Sequence, residues 1–398
     1  MNNFTQLQAT TLTKADRCVK CGLCSAQCPT YSLDGSENES PRGRIALAQA
    51  LVNGQLSDFT LIEKHFNNCL LCQRCEKICP SGVEFGEIMS NSRAILDKKQ
   101  HKADSKLIRW TARRTHKDWA KIGKVSRILQ KTGVLRLIPA LSSVQQYIKT
   151  TTPTQFIPAR KNTPAGRVAL FTGCTSHLLD NETINNARQL LNLCGYEVIL
   201  PETQVCCGAL PKHKGQLTTA KQCETSNAAA FEKHNGAIVF LATACGAALK
   251  TVENEHIRTQ AINITSFLNA ENALAQLKFK PLKKRVLIHE PCSEKNALRE
   301  TGNTQTLLSA LPDADIVTLK ETTGCCGAAG EYMLTHVDMA RTIRAPLLDD
   351  IKAINPDIIV TTNYTCGIHI KNGLQELDLD IPVIHPIKLL LNQIKHIE

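Results

Sequence analysis

The sequence predicts a helical, cysteine-rich N-terminal domain followed by two copies of an α/β domain. Two observations carry the prediction. The chain repeats itself beyond residue 165: Arg167–Cys174 is matched by Arg285–Cys292, Cys206-Cys207-Gly208 by Cys325-Cys326-Gly327, and Ala237–Cys245 by Asp357–Cys366, at offsets of 118, 119 and 121 residues. Within each copy, short apolar runs alternate with helical stretches, the pattern of a parallel sheet covered by helices. The first hundred residues lack this alternation and carry instead two runs of four cysteines.

Those runs, Cys18-x2-Cys21-x2-Cys24-x3-Cys28-Pro29 and Cys69-x2-Cys72-x2-Cys75-x3-Cys79-Pro80, have the spacing with which bacterial ferredoxins hold [4Fe-4S] clusters. Three cysteines at intervals of three wrap one cluster, and the fourth points away to complete the other. The spacing therefore assigns Cys18, Cys21, Cys24 and Cys79 to one cluster, and Cys69, Cys72, Cys75 and Cys28 to the second. Pro29 and Pro80 fix the backbone after the crossing ligand, where a missing N–H does no harm. Zinc sites also use paired cysteines, but a zinc ribbon would leave the third cysteine and the proline surplus in both runs. A disulfide framework fits less well, because no secretory signal opens the sequence and cysteines this dense suit a reducing compartment.

Between the runs, Ser40–Arg44 reads as a turn feeding a helix over Ile45–Leu51, and a further helix is expected from about Glu84 to Lys99. At 398 residues, 42% of them hydrophobic, the chain calls for several globular domains, and no apolar run approaches the 18 residues that would span a bilayer. The net charge of +11 is concentrated: Asp97–Lys161 holds 16 Lys plus Arg against three Asp, or +13. This basic connector reads either as a solvated helical face or as an amphipathic surface with Leu107, Ile108, Trp110, Trp119, Ile122, Val125 and Ile128 on its apolar side, suited to acidic lipid headgroups or a partner subunit. With 4% aromatic residues and no recognisable binding module, nucleic acid is not an expected partner. A polar linker, Thr151–Pro164, closes the connector. The expected domains are 1–100, 101–164, 165–280 and 281–398.

In each repeat the cysteines follow predicted strands, so they gather at the carboxyl edge of the sheet, where open α/β sheets bind ligands. The candidates are Cys174, Cys206, Cys207 and Cys245 in the first copy, and Cys292, Cys325, Cys326 and Cys366 in the second. Gly208 and Gly327 allow close backbone approach to a bulky group. Cys194 and Cys223 fall outside the repeat and read as small core residues. Gly324-x2-Gly327-x2-Gly330 lacks the spacing of a dinucleotide fingerprint, so no flavin site is expected in this chain.

The two runs separated by a helix resemble the alpha-helical ferredoxin that precedes redox domains in fumarate-reductase-like complexes. Arg167–Ile397 resembles the paired cysteine-rich domains of heterodisulfide reductase. Taken whole, the chain is similar to iron-sulfur subunits of glycolate oxidase, most tellingly at Cys28-Pro-Thr-Tyr31, Pro41-Arg-Gly-Arg-Ile45, Cys79-Pro-Ser-Gly82 and Gly324–Gly330 with Tyr332–His336. That resemblance implies a subunit of a glycolate dehydrogenase, cytoplasmic or peripheral on the inner membrane, with no catalytic residue of its own. FAD and the oxidation of glycolate to glyoxylate would reside on a partner dehydrogenase subunit, and electrons would pass through two [4Fe-4S] clusters toward a quinone or other membrane acceptor. Related subunits serve D-lactate and glycerol-3-phosphate dehydrogenases. One departure stands out: where heterodisulfide reductase has a terminal Cys-x2-Cys, this chain has Cys245-Gly-Ala-Ala248 and Cys366-Gly-Ile-His369, four cysteines per repeat instead of five. Two alternatives stay open: a further cluster, for which His369 is a candidate ligand as imidazole is in Rieske centres, or a scaffold for docking and redox-active thiols.

Overall fold

A computed structural model describes residues 3–131, 165–320 and 324–395. In the N-terminal domain, helices Asn3–Ala15, Pro41–Val52, Phe59–Asn67 and Phe85–Lys99 enclose a core that includes Ile45, Leu51, Phe66, Ile88 and Ile95. The second helix begins at Pro41, so residues 41–44 form its first turn instead of the expected separate turn. Local chemistry explains the start: Gly43 N–H donates to Ser40 Oγ at 2.9 Å, and proline occupies the first helical position, where its missing N–H costs nothing.

Each repeat is a four-stranded parallel sheet. The first contains β1 (Gly166–Phe171), β2 (Tyr196–Ile199), β3 (Ile238–Phe240) and β4 (Ala261–Asn263) in the order β2-β1-β3-β4. The second contains β5 (Arg285–His289), β6 (Asp315–Thr318), β7 (Ile358–Thr361) and β8 (Val383–Ile384) in the equivalent order β6-β5-β7-β8. The chain is thus an α-helical N-terminal domain followed by duplicated α/β domains. β1 and β5 sit where strand order reverses, the position at which such sheets open a crevice. Val168, Leu190, Ile264 and Phe267 of the first repeat share one buried cluster with Val286, Leu308, Ile387 and Leu390 of the second, so the two copies have a continuous core. Lys280 N–H donates to Gln393 O at 2.7 Å, tying the segment between the repeats to the C-terminal helix.

The connector helices Lys106–Ala112 and His116–Lys131 lie on the first repeat, with His116 N–H donating to Gln204 O at 2.8 Å and Cys206 N–H to Ala112 O at 3.3 Å. Trp119 is buried, whereas Leu107 and Trp110 are exposed, so the expected single apolar side is divided between two helices. The linker at 151–164 and the side chains of Val125 and Ile128 lie outside the described residues. Among the described residues, no helix is long and apolar enough to cross a membrane.

The N-terminal domain meets the first repeat through backbone. Gly215, at φ +74°, lies so close to the helix Phe85–Lys99 that a Cβ there would stand 2.5 Å from Ala94 N and 2.8 Å from Arg93 C. Neither neighbour is a side chain that could swing aside. Gly215→Ala is expected to cost about 1–3 kcal/mol, read as a lower chemical-denaturation midpoint.

His385 caps the helix Pro386–Gln393, its Nδ1 accepting from Ile387 N–H at 3.2 Å while its Nε2 faces Leu241 O of the other repeat at 3.2 Å. Those partners select the neutral ring with its proton on Nε2. Burial holds its pKa down to about 4, against an opposing pull from the Leu241 carbonyl. An unfolded histidine titrates near 6.5, so as pH falls through 6.5 toward 4 the unfolded state takes up the proton first. The stability contributed by neutral His385 is present above that window and is lost on the way down. Denaturation midpoints should therefore fall between pH 7 and 5, and His385→Asn, which keeps a cap acceptor, should shrink that slope.

Candidate iron-sulfur centres and the Cys-Cys-Gly sites

The two N-terminal loops fold alike because the same backbone positions turn left-handed. Lys20 and Gly22 in the first loop, and Leu71 and Gln73 in the second, all have positive φ, at the residues directly before and after the middle cysteine. Only glycine adopts this region freely, and each of the other three residues stores about 1–2 kcal/mol. Turning the chain this way aims successive amides inward as an anion-binding nest: Leu71 N–H donates to Cys69 Sγ at 3.4 Å.

The structure brings Cys18, Cys21, Cys24 and Cys79 onto the wall of one cavity of about 440 Å3, with Ile45, Val83 and Phe85 among its apolar neighbours. It brings Cys28, Cys69 and Cys72 onto a second cavity of about 310 Å3, and Cys75 lies on both. Among the described residues no three His, Cys, Asp or Glu side chains converge as a single metal ion would require. Four or more thiols spread over each chamber suit a cluster of several metal atoms.

Behind the second cavity lies a buried ionic network. Arg44, with no exposed surface, pairs with Glu39 and donates from Nε to His65 O at 2.8 Å and from Nη1 to Thr30 Oγ1 at 3.0 Å. Glu39 also accepts from Asn68 Nδ2 at 2.9 Å and faces His65 Nδ1 at 2.7 Å. Arg44 Nη1 stands 3.8 Å from Cys28 Sγ, which places a full positive charge beside one of the eight thiols.

In the first repeat, Cys174 follows β1, Cys206-Cys207 follow β2 and Cys245 lies on the helix after β3, so all reach the same sheet edge. Cys174 Sγ is 3.6 Å from Cys206 Sγ. Thiol donation from Cys206 and then Cys245 holds Cys207 well below its ordinary pKa. In the second repeat Cys326 Sγ is 2.8 Å from Cys366 Sγ, and donation from Cys292 and Cys326 holds Cys325 well below its ordinary range. A thiolate is the form that binds metal or reacts as a nucleophile. Gly208 and Gly327, both left-handed, donate their N–H groups to Cys206 and Cys325 at 3.4 Å. Each repeat thus gathers its four candidate cysteines.

The second repeat abuts the N-terminal domain at its thiols. Asn296 Nδ2 donates to Cys72 O at 2.8 Å. Burial, and then the charge of Cys325, push the Cys72 thiol up to about 12. Arg74 lines both the cavity of Cys69, Cys72 and Cys75 and that of Cys292, Cys325 and Cys326, so one guanidinium serves two thiol groups.

His369 is buried with Nδ1 2.6 Å from Cys326 O, and Arg344 Nη1 donates to its carbonyl at 2.7 Å. Burial and then Arg344 lower its pKa to about 4. The histidine on the wall with Cys292, Cys325 and Cys326 is His289, at the end of β5, which sequence reasoning missed although it stands three residues before Cys292. Cys223, by sequence a core residue outside the motif, is indeed buried, but against Ala112 O at 3.6 Å and among the groups that act on Cys206. Tyr364, whose hydroxyl is 2.5 Å from Thr175 Oγ1 of the first repeat, also carried no sequence signal, nor did Arg74 and Asn296, because each acts across a domain boundary.

Two thiol-lined cavities in a helical domain, joined edge to edge with paired Cys-Cys-Gly sheets, define an iron-sulfur electron-transfer protein. Residues 14–83 match a family described as "4Fe-4S dicluster domain", and residues 168–250 and 286–371 match "Cysteine-rich domain". Over 93% of both chains, the sequence is 30% identical to "Glycolate oxidase iron-sulfur subunit" of Escherichia coli (strain K12). It is 29% identical to "Probable glycolate oxidase iron-sulfur subunit" of Bacillus subtilis (strain 168), over 95% of this chain and 94% of that one. A more distant likeness, 24% over 96% of this chain and 95% of the other, links it to a subunit of the dihydromethanophenazine:CoB--CoM heterodisulfide reductase of Methanosarcina barkeri (strain Fusaro / DSM 804). The chain belongs to the family of glycolate oxidase iron-sulfur subunits.

Proposed function

We propose that this chain carries electrons from a flavin-bearing partner, which oxidises glycolate to glyoxylate, toward a quinone. Cys18, Cys21, Cys24 and Cys79 would hold one cluster, and Cys28, Cys69, Cys72 and Cys75 the other. Each [4Fe-4S] cluster supplies one-electron transfer, which a flavin can match by releasing its two electrons singly. The protein's part is to orient the thiols and to supply inward N–H groups behind them. The observation that carries the reading is continuity: the wall of the second cavity adjoins the Cys292, Cys325 and Cys326 site through Cys72 and Arg74. The chain would lie in the cytoplasm, its basic connector and the exposed Leu107 and Trp110 facing the inner membrane or the flavin subunit.

Deleting the subunit should abolish quinone-linked glycolate oxidation while the flavin subunit still folds and binds FAD. Quinone-linked oxidation that survives the deletion would overturn the proposal. The likeness to a heterodisulfide reductase favours one second reading, disulfide reduction at the Cys-Cys-Gly sites, which predicts disulfide turnover by the isolated chain with an artificial reductant.

A further inference from the structure

The two repeats meet through residues at the carboxyl edges of their sheets, and there hydroxyl groups pair in a crossed pattern. Thr175, directly after Cys174, has its Oγ1 2.5 Å from the Tyr364 hydroxyl of the second repeat. Ser293, directly after Cys292, has its Oγ 2.8 Å from Thr243 Oγ1 of the first repeat. Tyr364 and Thr243 occupy equivalent positions. Each opens the helix that follows β7 or β3, Tyr364–Glu376 or Thr243–Leu249, and each stands two residues before the last motif cysteine, Cys366 or Cys245. The same exchange therefore occurs twice, once in each direction, although the side chains that make it differ in size.

Both junctions are tied into the thiol sites. Cys174, Cys245 and Cys207 are close enough to the Tyr364 phenol to act on it electrostatically. A Cβ on Gly173 would stand 3.4 Å from Cys245 Sγ, so the loop that carries Cys174 and Thr175 lies against the last cysteine of its own site. At the other junction, Thr243 N–H donates to Thr362 O at 3.2 Å, and Thr362 Oγ1 donates to Glu294 Oε2 at 2.6 Å, two residues beyond Cys292. Thr243 has no exposed surface, so no bulk water is at hand to replace Ser293 as its partner. Cys366, two residues beyond Tyr364, has its Sγ 2.8 Å from Cys326 Sγ. A hydroxyl lost on one side of either junction leaves its partner in the other repeat unsatisfied.

We infer that neither Cys-Cys-Gly site is built by one repeat alone: Tyr364 of the second repeat positions the loop of Cys174, Thr243 of the first positions the loop of Cys292, and the two sites are coupled through these junctions. Both are positioning residues, acting on the thiols through Thr175 and Ser293. The inference goes beyond the electron-transfer reading and does not depend on what the thiols hold. It also gives the coupling a direction of use: the second site abuts the N-terminal domain, where Asn296 Nδ2 donates to Cys72 O, so a change that begins at Cys72 reaches the first site through Tyr364 and Thr243.

The test uses the full chain, purified anaerobically and treated with iodoacetamide. Alkylation is followed over time by mass spectrometry of the tryptic peptides that carry Cys174, Cys245, Cys292 and Cys366. Tyr364→Phe should speed alkylation of Cys174 about fivefold, as loss of one neutral hydrogen bond would, and leave Cys292 unchanged. Thr243→Val should do the reverse. Thr175→Val should match Tyr364→Phe, and the two together should go no further, because each removes the same bond. Thr175→Ser keeps the hydroxyl and should match wild type. Cys366→Ser should also speed alkylation of Cys174, and should lose that effect in the Tyr364→Phe background. Unchanged rates at Cys174 and Cys292, a rise confined to the mutated repeat, or effects that add in the double variant would overturn the inference and leave the electron-transfer reading untouched. If Tyr364→Phe exposes all four cysteines alike, its fold is lost, and Thr175→Val against Thr175→Ser decides.

Discussion

Replacing Cys79 with serine is expected to remove the cluster held by Cys18, Cys21 and Cys24, and to leave that of its own run, Cys69, Cys72 and Cys75, in place. The chain should lose about four of roughly eight irons in the ferredoxin-type centres, and one of two [4Fe-4S] EPR signals. The reason is geometric: Cys79 lines the first cavity, and it is Cys28 that joins Cys69 and Cys72 on the second. Paired variants make the test sharp. Cys21→Ser/Cys79→Ser should resemble either single variant, because both remove ligands of one centre. Cys72→Ser/Cys79→Ser should lose both centres. If the two doubles behave the other way round, the runs do not exchange their fourth ligands. Cys75 lies on both cavities, and its replacement should disturb the second signal first and the coupling between the two centres as well.

The largest stability effect is expected at Arg44. Its guanidinium and the Glu39 carboxylate are both buried, and neutral groups around them satisfy the remaining donors and acceptors. Removing one member leaves the other charge buried without its partner, which costs about 3–5 kcal/mol. Arg44→Met should therefore lower the denaturation midpoint strongly and loosen the second cluster, since the arginine also stands beside Cys28. Arg44→Met/Glu39→Leu removes both charges and should recover much of that loss, because well-packed apolar residues often replace a buried pair at little cost. Equal destabilisation in the single and double variants would mean that shape, not charge, is what Arg44 contributes. The iron content of the double variant then reports whether the positive charge beside Cys28 matters to the cluster independently of folding.

Much of this architecture is legible in the chain. Strands β1 and β5 are visible as apolar runs leading to Cys174 and Cys292, because alternation of short apolar stretches with helices is a local pattern. The helix expected from Ile45 starts a few residues earlier, at Pro41, where Ser40 and Pro41 carry the capping signal. The basic connector is harder to read: its charge is obvious, but its helices pack on the first repeat through Trp119 and through backbone bonds that charge counting does not register. His369 is attractive as a ligand because it stands where a cysteine does in a related motif, yet its Nδ1 faces the Cys326 carbonyl. His289 gives no such signal and lies on the cavity wall.

By itself the sequence determined the kind of chemistry and the modules that carry it. Cysteine spacing along a few residues dictates what a loop can wrap around, and internal repetition dictates that one sheet will be built twice. Only the tertiary structure decided which sites become neighbours. Cys72 and Cys325 are separated by 253 positions, and Thr175 and Tyr364 by 189, yet each pair interacts because helices and sheets bury their apolar faces against one another. Such contacts depend on how whole elements pack, and no local pattern of residue types encodes them.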